Sequence, residues 1–396
     1  MSRLDVRAMS LLSVAHVVDD YNQSFIPALL PFLIVERHLS HQTAATLIFA
    51  QAISSSVVQP AIGHLADRRS MPWLIPVGFG LAGVGVAALG WVAAFPLLVL
   101  AALVSGIGVA TFHPEAARFA NYVAGAKKAS GMRWFALGGN VGFAIGPTFA
   151  TAAVAAWGLR GTLAAFIPVL VVAGLFVVEL PRLRGFVPSH ASRKRAAGVD
   201  DWRSFWKLST IVVIRSMAYF GLVAFVPLYV VEVLHASPTL GDAALTVFLV
   251  AGIAGTIAGG PLADRIGRKP VGLLSLGATA AMTVVLLVAA PAGGVIVAMA
   301  CLVAIGFVLY NSQAPMVVLG QEYLPNRIGL ASGVTLGLAV SLGGMFSPVL
   351  GWIADQHGIT ATLITVVSLA TLACILTLTL PNEGRRRHAA SQPTAA

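Results

Sequence analysis

Charge is what this chain lacks. Asp, Glu, Lys and Arg make up 10% of its 396 residues, against 58% hydrophobic residues, where a soluble domain carries about 25% charged residues. The shortage is concentrated. Residues 71–112 and the 52 residues 270–321 contain no Asp, Glu, Lys, Arg or His. A helix that crosses a bilayer needs about 20 apolar residues. Each stretch therefore holds two spans joined by a short turn, near residues 91–96 in the first and 291–294 in the second. That excludes the two or three soluble domains that length alone would suggest. Cysteine is nearly absent as well. Cys301 and Cys374 sit in apolar stretches, outside any CxxC or Cys/His pattern, so neither a disulfide framework nor a zinc cluster of that kind is indicated. The first apolar segment is expected to be a retained span and not a cleaved leader: it contains His16, Asp19 and Asp20 and runs on to Leu33, longer and more polar than a signal core.

What is present reads as an all-α polytopic membrane protein with twelve spans. They lie near residues 9–34, 43–65, 73–91, 96–120, 129–156, 161–180, 206–231, 243–263, 271–290, 294–320, 328–353 and 359–380. The basic residues test that count. If twelve is right, 20 of the 25 Lys and Arg residues fall on one side with both termini, and only Arg37 and Arg160 on the other. By the positive-inside rule both termini are cytoplasmic. The net charge of +10 is then topological, and nucleic acid is not expected as a partner.

The chain also repeats. "GHLADRR" (63–69) matches "GPLADRI" (260–266), "PFLIVE" (31–36) matches "PLYVVE" (227–232), and Gly142 with Pro147 matches Gly343 with Pro348. The offsets agree within five residues, as a duplicated six-helix unit requires. The layout is a six-helix bundle over 1–180, a basic cytoplasmic linker over 181–205, a second bundle over 206–381 and a disordered cytoplasmic tail over 382–396. Parallel repeats of this kind place a transport site near the midplane between the halves.

These motifs carry a resemblance. "GHLADRRSMP" and "GPLADRIGRK" resemble the cytoplasmic loop motif of the major facilitator superfamily, and "GGNVGFAIGP" (138–147) resembles its fifth-span antiporter motif. "HVVDD" (16–20), "FHPEAAR" (112–118) and "EYLPNRIGLASG" (322–333) are similar to the fosmidomycin-resistance group of efflux proteins within it. Two departures stand out. Asp19 occupies a place where that group has Asn, and Ala102 occupies the place of an Arg that many proton-coupled exporters carry in span four.

Ionisable groups inside spans are costly and face a cavity or a partner. His16 and Asp20 are spaced i,i+4 and share a helix face, while Asp19 points about 100° away. One acid is expected to face the central cavity. At the repeat offset Asp19 maps onto Arg215, and a pair between them across the two halves is one expectation; partners within each half are the other. His113, Glu115 and Arg118 fall in the cytoplasmic third of span four, by helical rise. Pro114 kinks the helix there. Glu115 and Arg118, spaced i,i+3, can pair, with Arg133 close by. Asp19, Asp20, His113 and Glu115 are the expected proton carriers; a snorkelling, ion-paired helix end is the plainer account of the last two. Tyr21, Asn22, Gln23, Trp134, Asn140, Tyr219, Tyr310, Asn311 and Gln313 are candidates for the substrate cavity or for ordinary packing.

The resemblance implies a cytoplasmic gate at Gly63, Asp67, Arg68, Arg69, Gly260, Asp264, Arg265, Arg268 and Lys269; generic anchoring by positive charge is the alternative. Gly138, Gly142 and Gly146 recur every four residues, so they share one face and let helices approach closely. Pro147 then bends or ends that contact, and Gly343 with Pro348 repeat the pattern. "GFGLAG" (78–83) fits a dinucleotide signature, but it lies mid-span with no acid at the required distance, so it is set aside.

The function implied is proton-coupled efflux of small molecules, such as fosmidomycin-like phosphonates, through the cytoplasmic membrane by alternating access. Symport of a small organic anion, sugar or amino acid is the alternative. No enzyme is expected, since neither a nucleophile elbow nor HExxH is present. No cofactor or metal is expected either. His16, Asp19, His113 and Glu115 have the chemistry to ligate an ion, but the duplicated halves favour transport. The partners are substrate, protons and membrane lipids, and the functional unit is a monomer.

Overall fold

The structure is a computed structural model that describes residues 4–68, 71–125, 128–185, 199–327, 330–331 and 333–381. Every described element is helical. α1 spans Val6–Arg37, α2 His41–Arg68, α3 Leu74–Leu89, α4 Phe95–Val123 and α5 Lys128–Trp157. A 3₁₀ segment, Gly158–Ala165, leads into α6 at Phe166–Arg184. α7 covers Trp202–Leu228 and α8 Pro238–Ile266, followed by α9 at Arg268–Asn311 and α10 at Gln313–Tyr323. After a π-helical turn at Gly333–Leu338 come α11, Ala339–Met345, and α12, Ser347–Leu378.

Local chemistry sets several of these boundaries. The Asp5 carboxylate accepts from the Ala8 N–H and caps α1, Asp201 does the same for α7 through Ser204, and Ser237 for α8 through Leu240, each satisfying a donor left orphaned at a helix start. Asp5 also receives Arg182 at 2.6 Å. Partial burial pushes the Asp5 carboxyl up, but the Ala8 N–H and Arg182 outweigh it and hold it below the ordinary aspartate range.

Seven described helical stretches are long and apolar enough to cross a membrane, and Leu74–Leu89 is a shorter apolar helix. Three of the seven exceed one crossing: Gly131–Leu183 has 53 residues, Arg268–Tyr323 has 56 and Ser341–Leu378 has 38. At 1.5 Å per residue the first would be about 80 Å long if straight, against a core of about 30 Å. Each is broken by a glycine at positive φ: Gly158 (61°), Gly294 (67°) and Gly358 (84°). The break at Gly294 falls in the turn expected at 291–294. The segment expected as one span at 328–353 is instead subdivided. It runs through the π-turn, α11, a break at Phe346 and the first arm of α12. Gly333, Gly337, Gly343 and Gly344 lower its helix propensity, and Pro348 cannot donate within the helix.

The buried apolar residues form three groups. One lies between the early part of α1 and the ends of α4 and α6, among them Met9, Phe79, Phe112, Phe119 and Phe176. A second joins α7, α10 and the end of α12, through Phe205, Leu208, Met316, Tyr323 and Ala373. The third draws on both halves of the chain, with Phe25, Leu29 and Ile48 against Phe225, Leu245, Leu350 and Leu363. The halves therefore share a core at the end holding the α1–α2 turn, and have separate cores at the end holding both "GxLADR" motifs.

Polar contacts join the halves at the shared end. The His41 ring at the start of α2 lies between two carboxylates of the other half: Nδ1 is 2.8 Å from Asp355 and Nε2 is 2.9 Å from Glu232. Asp355 also accepts from the backbone N–H of His41 and Gln42, at 2.8 and 2.9 Å, so an α12 carboxylate caps α2. Between α5 and α8, Thr151 donates to the fully buried Asp242 and Thr148 lies 2.9 Å from Thr246.

Candidate functional site

The span-one acids and the span-four histidine meet. His113 Nε2 lies 3.3 Å from Asp20 Oδ1, and its Nδ1 lies 3.4 Å from Asp19 Oδ2. His16 Nε2 is 3.3 Å from Asp20 Oδ2. His16 and Asp20 are buried, and Asp19 has no exposure at all. The expected 100° divergence of Asp19 from Asp20 holds on α1, but His113 enters from α4 and touches both. Helical rise places His113 in the cytoplasmic third of its span; the structure sets it level with both span-one acids. α1 has 32 residues and α4 has 29, so both overrun a bilayer, and distances counted from assumed span starts misplace their side chains.

Backbone carbonyls fix both rings. His16 Nδ1 is 2.8 Å from the Phe135 carbonyl, and His113 Nδ1 is 3.0 Å from that of Val109. A nitrogen facing a carbonyl oxygen must carry the proton, which leaves Nε2 of each ring turned to Asp20. The ring of His16 stacks on Phe135 at 4.1 Å and meets His113 edge-on at 5.2 Å. Three carboxylate oxygens, both of Asp19 and Oδ1 of Asp20, are buried without a hydrogen-bond partner. Such groups are costly to bury unless something satisfies them.

Gly139 makes the site possible. A Cβ there would lie 2.4 Å from Asp20 Oδ2 and 2.7 Å from His16 Nε2. Its neighbours hold α5 against α1: a Cβ at Gly138 would meet the Ser13 carbonyl at 2.4 Å, one at Gly142 the Val17 carbonyl at 2.2 Å, and one at Gly146 the Ser24 hydroxyl. α5 continues through Pro147 to Trp157, so the proline does not end the contact. Gly343 packs on Ser216 of α7 in the same manner, and Pro348 sits in the first turn of α12.

Glu115 stands apart from this cluster. Its Oε1 accepts from Arg118 at 2.6 Å and from the Met71 backbone N–H at 2.8 Å, so it ties α4 to the segment after α2. The Arg118 guanidinium lies over the rings of Phe119 and Tyr122. Arg133 is exposed on α5.

Arg215 is buried on α7, where it donates to Ser312 Oγ at 2.8 Å and to the Leu309 carbonyl at 3.0 Å. The expected Asp19–Arg215 pair is replaced here by Asp19 with His113 and Arg215 with Ser312. Arg215 lines a small cavity with Val212, Gln313, Met316, Val317 and Thr335. Tyr310 donates to Tyr219 at 3.0 Å, and Asp20 is close enough to act electrostatically on both hydroxyls. Tyr21 packs against Phe25 and Phe149, and Asn22 donates back to the Val18 carbonyl. Asn311 is buried, Gln23 and Asn140 are half-buried and Trp134 is exposed.

Of the gate residues, Arg69 lies outside the described residues, and only the backbone of Asp67 and Arg68 is described, at the end of α2. Gly63 approaches Pro114. Asp264 and Arg265 are exposed, with Gly260 half-buried. Arg268 pairs with Glu322 at 2.8 Å, and Lys269 donates to the Leu378 and Leu380 carbonyls, so both motif cations bind helix ends of their own half. The linker from 186 to 198 and the tail from 382 onward lie outside the described residues.

Known proteins resemble this chain in sequence and in fold. The chain is 31% identical over 388 residues to an uncharacterized MFS-type transporter, YfnC, of Bacillus subtilis, covering 95% of this chain and 93% of that one. It is 29% identical to the fosmidomycin resistance protein of Escherichia coli, covering 96% and 94%. A glycerol-3-phosphate transporter of Bacillus subtilis is 27% identical over 46% of this chain and 42% of its own. Among solved structures, a bacterial homologue of the human lysosomal transporter Spinster, inward-facing and occupied, superposes with a TM-score of 0.80 at 15% identity over the full length of both chains. The profile described as Major Facilitator Superfamily matches residues 12–348. With the helical fold, the glycine-welded fifth helix and the buried polar cluster, this chain is a membrane transporter, not an enzyme, and belongs to the Major Facilitator Superfamily.

Proposed function

We propose that the protein exports small anionic molecules, with phosphonates of the fosmidomycin type first among them, in exchange for protons across the cytoplasmic membrane. The observation that carries this reading is the cluster of His16, Asp19, Asp20 and His113, in which three of the four carboxylate oxygens are buried without a hydrogen-bond partner. Protons satisfy those oxygens, and losing them restores an unfavourable buried charge. Two carboxylates and two imidazoles in mutual contact suit a site that must load on one side and discharge on the other.

The twelve-span arrangement, with both termini cytoplasmic and two six-helix bundles joined by the 181–205 linker, is part of this reading. The positive-φ glycines at 158, 294 and 358 support it by dividing the overlong stretches. The basic side is the end with separate cores, so the described state is inward-facing. In this state His41, Glu232, Asp355 and the Thr151–Asp242 contact shut the outer side. Protons from outside load the cluster when the outer side opens, and they leave to the cytoplasm as substrate enters. Arg215, exposed to its small cavity, supplies the cation for an anionic group. The names of two relatives fit that chemistry: fosmidomycin carries a phosphonate and glycerol 3-phosphate a phosphate.

Liposomes with an imposed pH gradient test it. Wild-type protein is expected to move a phosphonate against its own gradient when the proton gradient runs the other way. Asp20→Asn and His113→Gln should abolish that uphill flux. The reading fails if both variants keep it, or if flux follows the proton gradient in the same direction, which is symport.

A further inference from the structure

The geometry points to a second ligand for the same four residues: a divalent transition-metal ion of the Zn²⁺ or Co²⁺ class, held by His16 Nε2, His113 Nε2 and the Asp20 carboxylate, with Asp19 behind it.

Four observations carry this. First, the free nitrogens are already selected. Both Nδ1 atoms face backbone carbonyls, at 2.8 and 3.0 Å, and a metal-binding histidine is held in this way by a hydrogen bond from its other nitrogen. Second, the three ligand groups converge. Both Nε2 atoms lie 3.3 Å from an Asp20 oxygen, and the ligand atoms all fall within 4.8 Å of one another. An ion bonded to N and O at about 2.0–2.1 Å in a tetrahedron separates its ligands by about 3.3 Å; each Nε2 already lies at that distance from one Asp20 oxygen, Oδ2 for His16 and Oδ1 for His113, and rotation of the carboxylate and rings brings one oxygen and both nitrogens around a single ion. Third, Asp19 Oδ2 lies 3.4 Å from His113 Nδ1. The Val109 carbonyl orients the ring, and the Asp19 carboxylate stands beside it as an outer negative charge for a bound cation. Fourth, Asp19 is fully buried with both oxygens unpartnered. With neutral rings the four residues carry two negative charges, which a divalent ion cancels as two protons would. Two imidazoles and a carboxylate suit Zn²⁺, Co²⁺ or Ni²⁺ over Mg²⁺ and Ca²⁺, which prefer oxygen.

Binding of the ion displaces protons from these residues, because ligands must be deprotonated. A metal and the coupling protons therefore compete, and micromolar metal arrests a proton-driven cycle. That consequence rests on the proton-coupling reading; the binding does not. The titratable groups facing the site are His16, Asp19 and Asp20 on α1, His113 on α4 and, electrostatically, Tyr219 on α7 and Tyr310 on α9. From α5 the site meets the Phe135 carbonyl and Gly139. Glu115 is paired with Arg118 further along α4.

Full-length, tag-free protein in detergent is titrated with Co²⁺, read by its visible absorption, and then with Zn²⁺ in competition. The expected result is one Co²⁺ per chain with the intense bands of a four-coordinate ion, all displaced by one Zn²⁺. Apparent affinity should rise with pH, about tenfold per unit for each proton displaced. His16→Gln and His113→Gln should each cost 100-fold or more, and Asp19→Asn about 10- to 100-fold as an outer-shell loss. Far-UV circular dichroism and gel filtration confirm folding, and the wild-type pH dependence needs no variant. Only weak octahedral Co²⁺ bands, or variants that bind as tightly as wild type, overturn the site. The liposome flux assay is separate. Proton-driven flux without metal binding sinks this inference and leaves the transport reading intact; metal binding without proton-driven flux does the reverse.

Discussion

Asp355→Asn should release the outer latch while leaving the protein folded. The Asp355 carboxylate accepts three hydrogen bonds from α2: the N–H of His41 at 2.8 Å, that of Gln42 at 2.9 Å and His41 Nδ1 at 2.8 Å. Hydrogen bonds to a charged group are worth about 1.5–3 kcal/mol each and neutral ones about 1. Asparagine keeps one acceptor and loses the charge that favours a helix N-terminus. The side chains are only partly buried, 19% exposed for His41 and 17% for Asp355, so a net loss of about 2 kcal/mol is the sensible figure. That is roughly a 30-fold change in the ratio of outer-closed to outer-open protein. A molecule closed 99 times in 100 would become open about one time in four. The latch spans two halves and exists only while they meet, so the change appears as conformation and not as unfolding. Single-molecule energy transfer reads it directly, with dyes at Val35 and Ile296, both well exposed, after Cys301 and Cys374 are replaced. Glu232→Gln should act in the same direction but less, because Glu232 is more exposed, at 35%, and meets the His41 ring at Nε2 without reaching the α2 backbone N–H groups that Asp355 caps. His41 faces a carboxylate oxygen from each ring nitrogen, an arrangement that needs the doubly protonated ring. The latch should thus be strongest at acidic external pH and weaken as pH rises through the histidine range. An unchanged energy-transfer histogram for Asp355→Asn at both pH 5 and pH 8 would refute the latch.

Three further outcomes are expected. Gly139→Ala puts a methyl 2.4 Å from Asp20 Oδ2; it should cut gradient-driven flux at least tenfold, whereas Gly142→Ala, against the Val17 backbone, should chiefly lower Tm through about 1–3 kcal/mol of overpacking. Glu115→Gln should keep the pH dependence of transport that His113→Gln loses. Its cost is stability, about 3 kcal/mol or more for a buried pair with one partner neutralised, seen as a lower Tm in detergent. Asp5→Ala should cost about 1 kcal/mol through the lost cap. Because the Asp5 carboxyl is held below its ordinary value, its contribution is present above about pH 4, the ordinary aspartate pKa. It fades as pH falls through the lower folded value. Wild type and variant should therefore differ in Tm at pH 7 and converge in acid.

The fold was legible because charge and glycine are written one residue at a time. The two uncharged stretches, the basic loops and the four-residue glycine spacing each report one physical demand, and no tertiary knowledge is needed to read them. The Glu115–Arg118 pair was legible for the same reason, being local to one helix turn. The cluster was legible only as its members. Periodicity on α1 correctly separates Asp19 from Asp20, but it carries no information on which helix fills the gap, and His113 fills it. Gly139 is off the register of Gly138, Gly142 and Gly146, which pack along α1, so the four-residue spacing does not single out the glycine that meets the Asp20 and His16 side chains. The latch was missed because His41 and Asp355 fall between expected spans, where polar residues need no partner. Asp242 was missed by one position: the eighth span was expected to begin at 243, which left a fully buried acid counted as loop.

Under the proposed mechanism, a charge change at the cluster reaches the α5–α8 contact through one rigid piece. Gly138 and Gly142 bring the α5 backbone directly against that of α1, and Gly146 closes on the Ser24 hydroxyl and the Tyr21 carbonyl, so the two helices cannot slide independently without opening voids. The inner face of that pair holds His16 and Asp20, and the far end of α5 carries Thr148 and Thr151 to Thr246 and Asp242 of α8. Under the proposed proton coupling, a charge change between α1 and His113 of α4 displaces α1, and α5 must follow it. Its threonines then move relative to α8, where Asp242 has no other hydrogen-bond partner for its second oxygen. The prediction is energetic coupling between sites that do not touch. In a double-mutant cycle on the outer-open population, His16→Gln and Thr151→Val should deviate from additivity by about 0.5–2 kcal/mol. Lengthening the α1–α5 contact with Gly142→Ala should reduce that deviation toward zero. Strict additivity in the wild-type background, with both single variants folded and each shifting the population, would show that the two sites act independently and that α5 transmits nothing.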